Sequence, residues 1–377
     1  MRIEAIELRR VDIPLVTPFR TSFGTQDTRD CVLVRVVTDV GEGWGECVTM
    51  PWPLYSAESS DVVIPIVSAH MAPRLLGVDG IGPRDVARLL APIHGHRMAK
   101  AGLEAAVLDA WLRAAGQSFA SFLGVTATRV PCGVSVGIHD STEALVETVG
   151  GYLDEGYVRI KLKIEPGNDL EAVAAVRKAF GDDVPLQVDA NAAYEPGDIP
   201  LLRRLDAFGL LLIEQPFDEE RLLANVDLRA AIDTPVCLDE SAVSAQVVAD
   251  AIRLGAVDIV NIKAGRVGGY LEAARIHDLC VAHGVPVWCG GMVETGIGRA
   301  ANAVLAGMAG FSLPGDNSGF DRFYATDIVA DPLRMVDGHL RVPTAPGMGF
   351  EVDPEAIEAV TVERVLLEAS SGSPGPA

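Results

Sequence analysis

Between residues 157 and 167 the chain reads YVRIKLKIEPG, where Val158, Ile160, Leu162 and Ile164 alternate with Arg159, Lys161 and Lys163. Alternate side chains of a β-strand point to opposite faces, so this segment predicts a strand with one aliphatic face and one face of three cations. The first fifty residues alternate too. IEAIELRRVDIPL and CVLVRVVTDVGEGWGE read as strands, with Asp39 to Gly45 as the hairpin connection. Glycines 41, 43 and 45 lack the spacing and the following helix of a nucleotide loop and read as turn residues. From about 60 to 120 the period becomes helical, ending in HRMAKAGLEAAVLDAWLRAAG, whose Ala105, Leu108 and Leu112 form an apolar stripe closed by Gly116. His94 and His96 precede that helix as capping or surface residues.

From 131 to about 315 the chain repeats short aliphatic runs, each followed by a helical stretch. The runs end at Ser135, Lys163, Asp189, Glu214, Asp239, Lys263 and Gly290, and the intervals from Lys163 through Lys263 are 26, 25, 25 and 24 residues. One strand, one helix and two loops take about that length, so the rhythm is that of βα units closing into a barrel. The segment PLRMVDGHLRVPTAPGMGFEV returns to strand-and-turn composition, and SSGSPGPA at the end reads as a disordered tail.

Composition narrows the setting. The net charge of -21, from 52 acidic and 31 basic residues, disfavours nucleic acid or an anionic membrane as partner. No signal peptide and no run of about 18 apolar residues is read, which predicts a cytoplasmic, soluble protein. Six cysteines without a C-x-x-C pair predict reduced thiols.

In a parallel barrel, residues at the C-terminal strand ends converge on one mouth. Lys161 and Lys163 would therefore point into that mouth, where Asp189, Glu214 and Asp239 arrive on the next three strands. Crowded carboxylates repel unless a cation lies between them, and hard oxygen donors suit Mg²⁺ or another divalent ion such as Mn²⁺. The competing reading is a set of interior salt bridges, which does not require this order. Lys263 closes the arc opposite Lys163. A metal gripping a substrate carboxylate would stabilise the enediolate left when an α-proton departs. Lysine needs a lowered pKa to act as the base, which the metal and neighbours such as Lys161 and Arg266 would supply. Arg266 reads equally as a surface-loop residue. A Schiff-base role for Lys263 has no use for three carboxylates, and a purely structural role does not call for all five central groups.

The ordered set Lys161-Leu162-Lys163, Asp189, Glu214, Asp239 and Lys263 resembles the enolase superfamily, in its muconate-lactonizing-enzyme-like branch. Further stretches, among them PFRTSFGT, GWGECVTM, VPCGVSVGI, NIKAGRVGGYLEA, VWCGGMVETGIGRAAN and LPGD, resemble its subfamily of N-acylamino acid racemases and o-succinylbenzoate synthases. The resemblance implies an α/β fold: a modified (β/α)7β barrel over 126–325, and an α+β capping domain over 1–125 completed by 326–368, with 369–377 as the tail. It implies Lys163 and Lys263 on opposite faces of the α-carbon, Lys161 assisting the bound carboxylate, and Asn191 and Glu240 supporting the metal shell or a lysine. Phe19, Phe23, Met50 and Tyr55 from the cap, with Ser135, Gly291, Met292 and Val293 from the barrel, would select a small-molecule carboxylate substrate. A homo-oligomer is expected. The reaction implied is first racemisation of N-acyl, chiefly N-succinyl, amino acids, with the dehydration that forms o-succinylbenzoate as the alternative, alone or beside it in one bifunctional enzyme.

Overall fold

The computed structural model describes residues 1–369. The tail expected over 369–377 lies, Ala369 apart, outside the described residues. The chain opens with three antiparallel strands, β1 (Ile3–Thr21), β2 (Gly24–Thr38) and β3 (Gly41–Cys47). Against them lies the helix Arg97–Ala114. Its Ala105, Leu108 and Leu112 stripe packs into the barrel core, while Leu103, Ala106, Val107 and Ala110 pack into the core of the cap. A helix buried on both sides must be apolar nearly all round.

The glycines of GEGWGE differ from expectation. Only Gly41 sits at the turn, with φ +137. Gly43 and Gly45 lie within β3, where a Cβ would stand 2.2 Å from the Ala110 nitrogen and 2.2 Å from the Gly102 carbonyl oxygen respectively. They let a helix backbone approach a strand closely.

After β4 (Arg129–Pro131) come seven parallel strands: β5 (Gly133–Val136), β6 (Arg159–Lys163), β7 (Leu186–Asp189), β8 (Ile213–Glu214), β9 (Val236–Leu238), β10 (Ile259–Ile262) and β11 (Val287–Cys289). They pair in sequence order and curl into one sheet, with helices returning the chain between them. The eighth position is filled by residues 311–316, a segment without regular strand structure. Val287 bridges Phe311 on one side of it and Cys132 bridges Gly315 on the other. Then β12 (His339–Arg341) pairs with β4, and β13 (Thr361–Glu368) returns to pair antiparallel with β1. No helix among the described residues is long and apolar enough to cross a membrane, and all six cysteines are buried and free.

Candidate active site

Strand register builds the site. Lys163 pairs with Asp189 and Asp189 with Glu214 across β6, β7 and β8, so three charged side chains share one rung. Asp239 follows the last residue of β9, and Lys263 follows the last residue of β10. Counting β5 as the first of eight positions, the two lysines come from the second and the sixth, which face each other across a closed barrel. The backbone beside the site is strained: Asn191, Ala192, Gln215 and Val293 have φ of 43, 62, 34 and 58. Gln215 braces two strand ends, since its side-chain oxygen accepts from the Asp239 and Ser241 N–H groups.

The charges form two clusters. In one, Lys163 Nζ donates to Asp189 Oδ2 and Asn191 Oδ1, both at 2.6 Å. Lys161 Nζ reaches Glu214 and Asp189 at 3.1 Å and Asp316 at 2.6 Å, and lies 4.8 Å from the centre of the Trp288 ring. In the other, Lys263 Nζ donates to Asp239 Oδ2 at 2.7 Å and to the Tyr55 hydroxyl at 3.0 Å. Arg266 also donates to Asp239. It is buried, which settles its place: it is no surface-loop residue. Glu240 accepts from Asn191 Nδ2 at 2.9 Å, and its other oxygen is buried without a partner.

Each titration follows from these surroundings. Burial lowers the Lys163 pKa, and the neighbouring Lys161 adds to the effect against the pull of Asp189. Burial acts on Lys263 the same way but is outweighed by Tyr55, Glu240 and Glu214, so its pKa lies above the ordinary value. The protein groups around the two lysines thus act in opposite directions, lowering Lys163 and raising Lys263. Burial raises Glu214, and the adjacent Asp189 charge raises it further. Asp189 itself stays low because Lys163 and Lys161 overcome its burial. The Tyr55 phenol is pushed up to about 12, chiefly by burial.

Among the described residues no three His, Cys, Asp or Glu side chains surround a common point as metal ligands do. Asp189 and Glu214 are neighbours, whereas Asp239 is turned to Tyr55, Lys263 and Arg266. The donor set still suits a hard divalent cation, being all oxygen, fully buried and mutually repelling at Asp189 and Glu214.

Above these groups lies a cavity of about 380 Å³. Both lysines and Asn191 line its floor, Phe19, Phe23, Met50 and Tyr55 its cap side, and Gly291, Met292 and Val293 its barrel side. A smaller adjoining space takes in Ser135, Lys161, Asp316 and Arg322. Glu240 and Arg266 line neither and stand behind the floor. Sequence reasoning missed Asp316, Asn261, Trp288 and the role of the Tyr55 hydroxyl. Asp316 lies 26 residues after Gly290, so one more beat of the strand rhythm would have found it. Asn261, which donates to Glu214 Oε1 at 2.6 Å, carried no signal because it sits inside an aliphatic strand.

A parallel barrel with opposed lysines and buried carboxylates at its mouth, roofed by an α+β cap, defines a barrel enzyme with one cavity of small-molecule size above its charged groups. Residues 5–124 match the family described as mandelate racemase / muconate lactonizing enzyme, N-terminal domain, and residues 144–356 the one described as enolase C-terminal domain-like. The chain belongs to the enolase superfamily. It is 61% identical to an N-succinylamino acid racemase of an Amycolatopsis species, over 97% of this chain and 100% of that one. It is 41% identical to an o-succinylbenzoate synthase of Geobacillus kaustophilus over 96% of each. A solved member of the enolase superfamily from Listeria innocua superposes with a TM-score of 0.94 at 36% identity, covering 98% of this chain and all of that one.

Proposed function

We propose that the protein racemises N-acyl amino acids, N-succinyl ones first among them, by moving the α-proton between two lysines. The observation that carries this reading is the placement of Lys163 and Lys263 on opposed barrel positions with both amines at the floor of one cavity. One amine removes the α-proton and the other returns a proton from the far face, which inverts the centre. Lys161, held between Asp316 and the Trp288 face in the smaller adjoining space, would assist the bound carboxylate. The aromatic and thioether residues of the cap cover the amino-acid side chain without demanding one shape. Asp189, Glu214 and Asp239, backed by Asn191 and Glu240, would hold a divalent ion, Mg²⁺ or Mn²⁺. When bound it supplies neutralisation of the substrate carboxylate and of the charge that gathers there as the proton leaves.

The second reading is synthesis of o-succinylbenzoate. It is favoured by the full-length likeness to o-succinylbenzoate synthases, and it needs the same floor with one lysine as base. Relative kcat/KM on N-succinyl amino acids and on the cyclohexadiene precursor of o-succinylbenzoate tests the choice. Turnover of the precursor alone would sink the racemase reading.

A further inference from the structure

The cap domain does more than roof the cavity: it sends one hydroxyl to the floor. Residues 51–58 form a loop whose ends are pinned. Met50 and Ser59 bridge each other, and the Ser60 N–H donates to the Met50 carbonyl at 2.9 Å. Glu58 accepts from the Met98 and Ala99 N–H groups, at 2.9 and 3.2 Å, and so caps the helix Arg97–Ala114 from outside. Tyr55 reaches down from this loop, its ring centre 6.3 Å from that of Phe23.

At the floor Tyr55 closes a triangle. Lys263 Nζ donates to its hydroxyl at 3.0 Å, the hydroxyl donates to Asp239 Oδ1 at 3.0 Å, and Lys263 Nζ donates to Asp239 Oδ2 at 2.7 Å. The same amine lies 4.5 Å from the Tyr55 ring centre. Lys163 is held differently, because its two hydrogen-bond partners, Asp189 and Asn191, both belong to the barrel. A lysine amine rides on a flexible four-carbon stem, and its direction depends on such partners.

We propose that Tyr55 is a positioning residue for Lys263, so that the docked cap loop sets the competence of one lysine while the other works independently of the cap. This rests on the two-lysine reading above. It assigns the hydroxyl a task distinct from the side-chain selection expected of the ring, and it makes the two faces of the reaction unequal in their dependence on the cap.

Tyr55→Phe keeps the ring and removes only the hydroxyl. Each enantiomer of an N-succinyl amino acid is incubated in D₂O and recovered, and deuterium at its α-position is measured. The enantiomer facing Lys263 is the one whose exchange Lys263→Ala abolishes. Its wash-in is expected to slow about ten-fold in Tyr55→Phe, while the other enantiomer keeps its rate within about two-fold, ten-fold corresponding to ~1.4 kcal/mol. Equal slowing of both, or no change in either, overturns the proposal. A second measurement needs no turnover: reductive methylation, read by peptide mass spectrometry, should label Lys263 several-fold faster relative to Lys163 once the hydroxyl is gone. An unchanged ratio overturns it as well. If wild-type enzyme exchanges neither enantiomer, the racemase reading falls, and the labelling ratio still decides the role of Tyr55.

Discussion

At the scale of single residues, the opposed lysines carry the sharpest expectation. Removing either amine leaves one face of the α-carbon without a proton donor, so Lys163→Ala and Lys263→Ala should each lose racemisation by on the order of 10² to 10⁴-fold. Each variant should still exchange the α-proton of one enantiomer with solvent, and the two should favour opposite enantiomers. Equal exchange of both by Lys163→Ala would refute one base per face. Glu214 offers a test of the metal. It lies beside Asp189, is fully buried, and has its pKa raised by burial and by the Asp189 charge. Glu214→Gln removes one negative donor and should weaken Mg²⁺ binding, followed by calorimetry, and nearly abolish turnover. Full activity of wild-type enzyme after exhaustive chelation would count against any metal. The lysines and carboxylates were legible because charges that interrupt aliphatic runs at a steady interval stand out. In the sequence Tyr55 reads only as an apolar cover, since nothing local to PWPLYSAE says that its hydroxyl meets a lysine 208 residues away.

At the scale of elements, close packing and loops divide stability from selection. The periodicity of β6 and the 25-residue beat foretold the strands, whereas the irregular eighth position, residues 311–316, has no alternation to read. The glycines of β3 read as turn residues because sequence shows that a position lacks a side chain without showing what occupies the space. That space is filled by the backbone of Arg97–Ala114, so Gly43→Ala should force strand and helix apart. A destabilisation of about 1–3 kcal/mol or more is expected in urea unfolding, against little change for an exposed Gly→Ala control. The cap loops, which line the cavity, are where we propose that selection lies. Phe23 lines the cavity beside Met50 and Trp52 and, being hydrocarbon, has no polar group to bond either lysine. Phe23→Leu should therefore reorder kcat/KM among N-acyl amino acids, each apolar contact discriminating by about 1–3 kcal/mol. A uniform fall with the order kept would place Phe23 among the residues that serve stability.

Across the full chain, cap and barrel share one buried core. Val11, Leu33 and Trp44 of the cap sheet belong to the same buried cluster as the barrel strands and their helices. Buried carboxylates of the cap also cap barrel helices. Glu46 of β3 accepts from the Thr295 and Gly298 N–H groups at the start of Gly296–Ala306. Glu104 accepts from the Leu271 N–H at 3.2 Å, at the start of Tyr270–Ala282. The fit at Glu104 is tight, for a Cβ on Gly269 would stand 1.5 Å from its carboxyl oxygen. Burial pushes Glu104 up to about 8 from an ordinary 4.5, with the Glu272 charge assisting and the Leu271 and Tyr270 N–H groups opposing. A folded-state pKa above the unfolded one means that the folded protein binds this proton more tightly. The stability it contributes is complete below about pH 4.5, declines as pH rises, and is lost once pH passes about 8. Glu104→Gln supplies a permanently neutral side chain of the same shape and should not decline in that way. The difference in unfolding free energy between variant and wild type should therefore grow in favour of the variant from pH 4.5 to pH 8, by a few kcal/mol at most. Other buried carboxylates, Glu46 and Glu58 among them, are also raised, but they are common to both proteins and cancel in the difference. A difference that stays flat across that window would mean that Glu104 is ionised at the domain junction and that the Leu271 and Tyr270 N–H groups offset its burial.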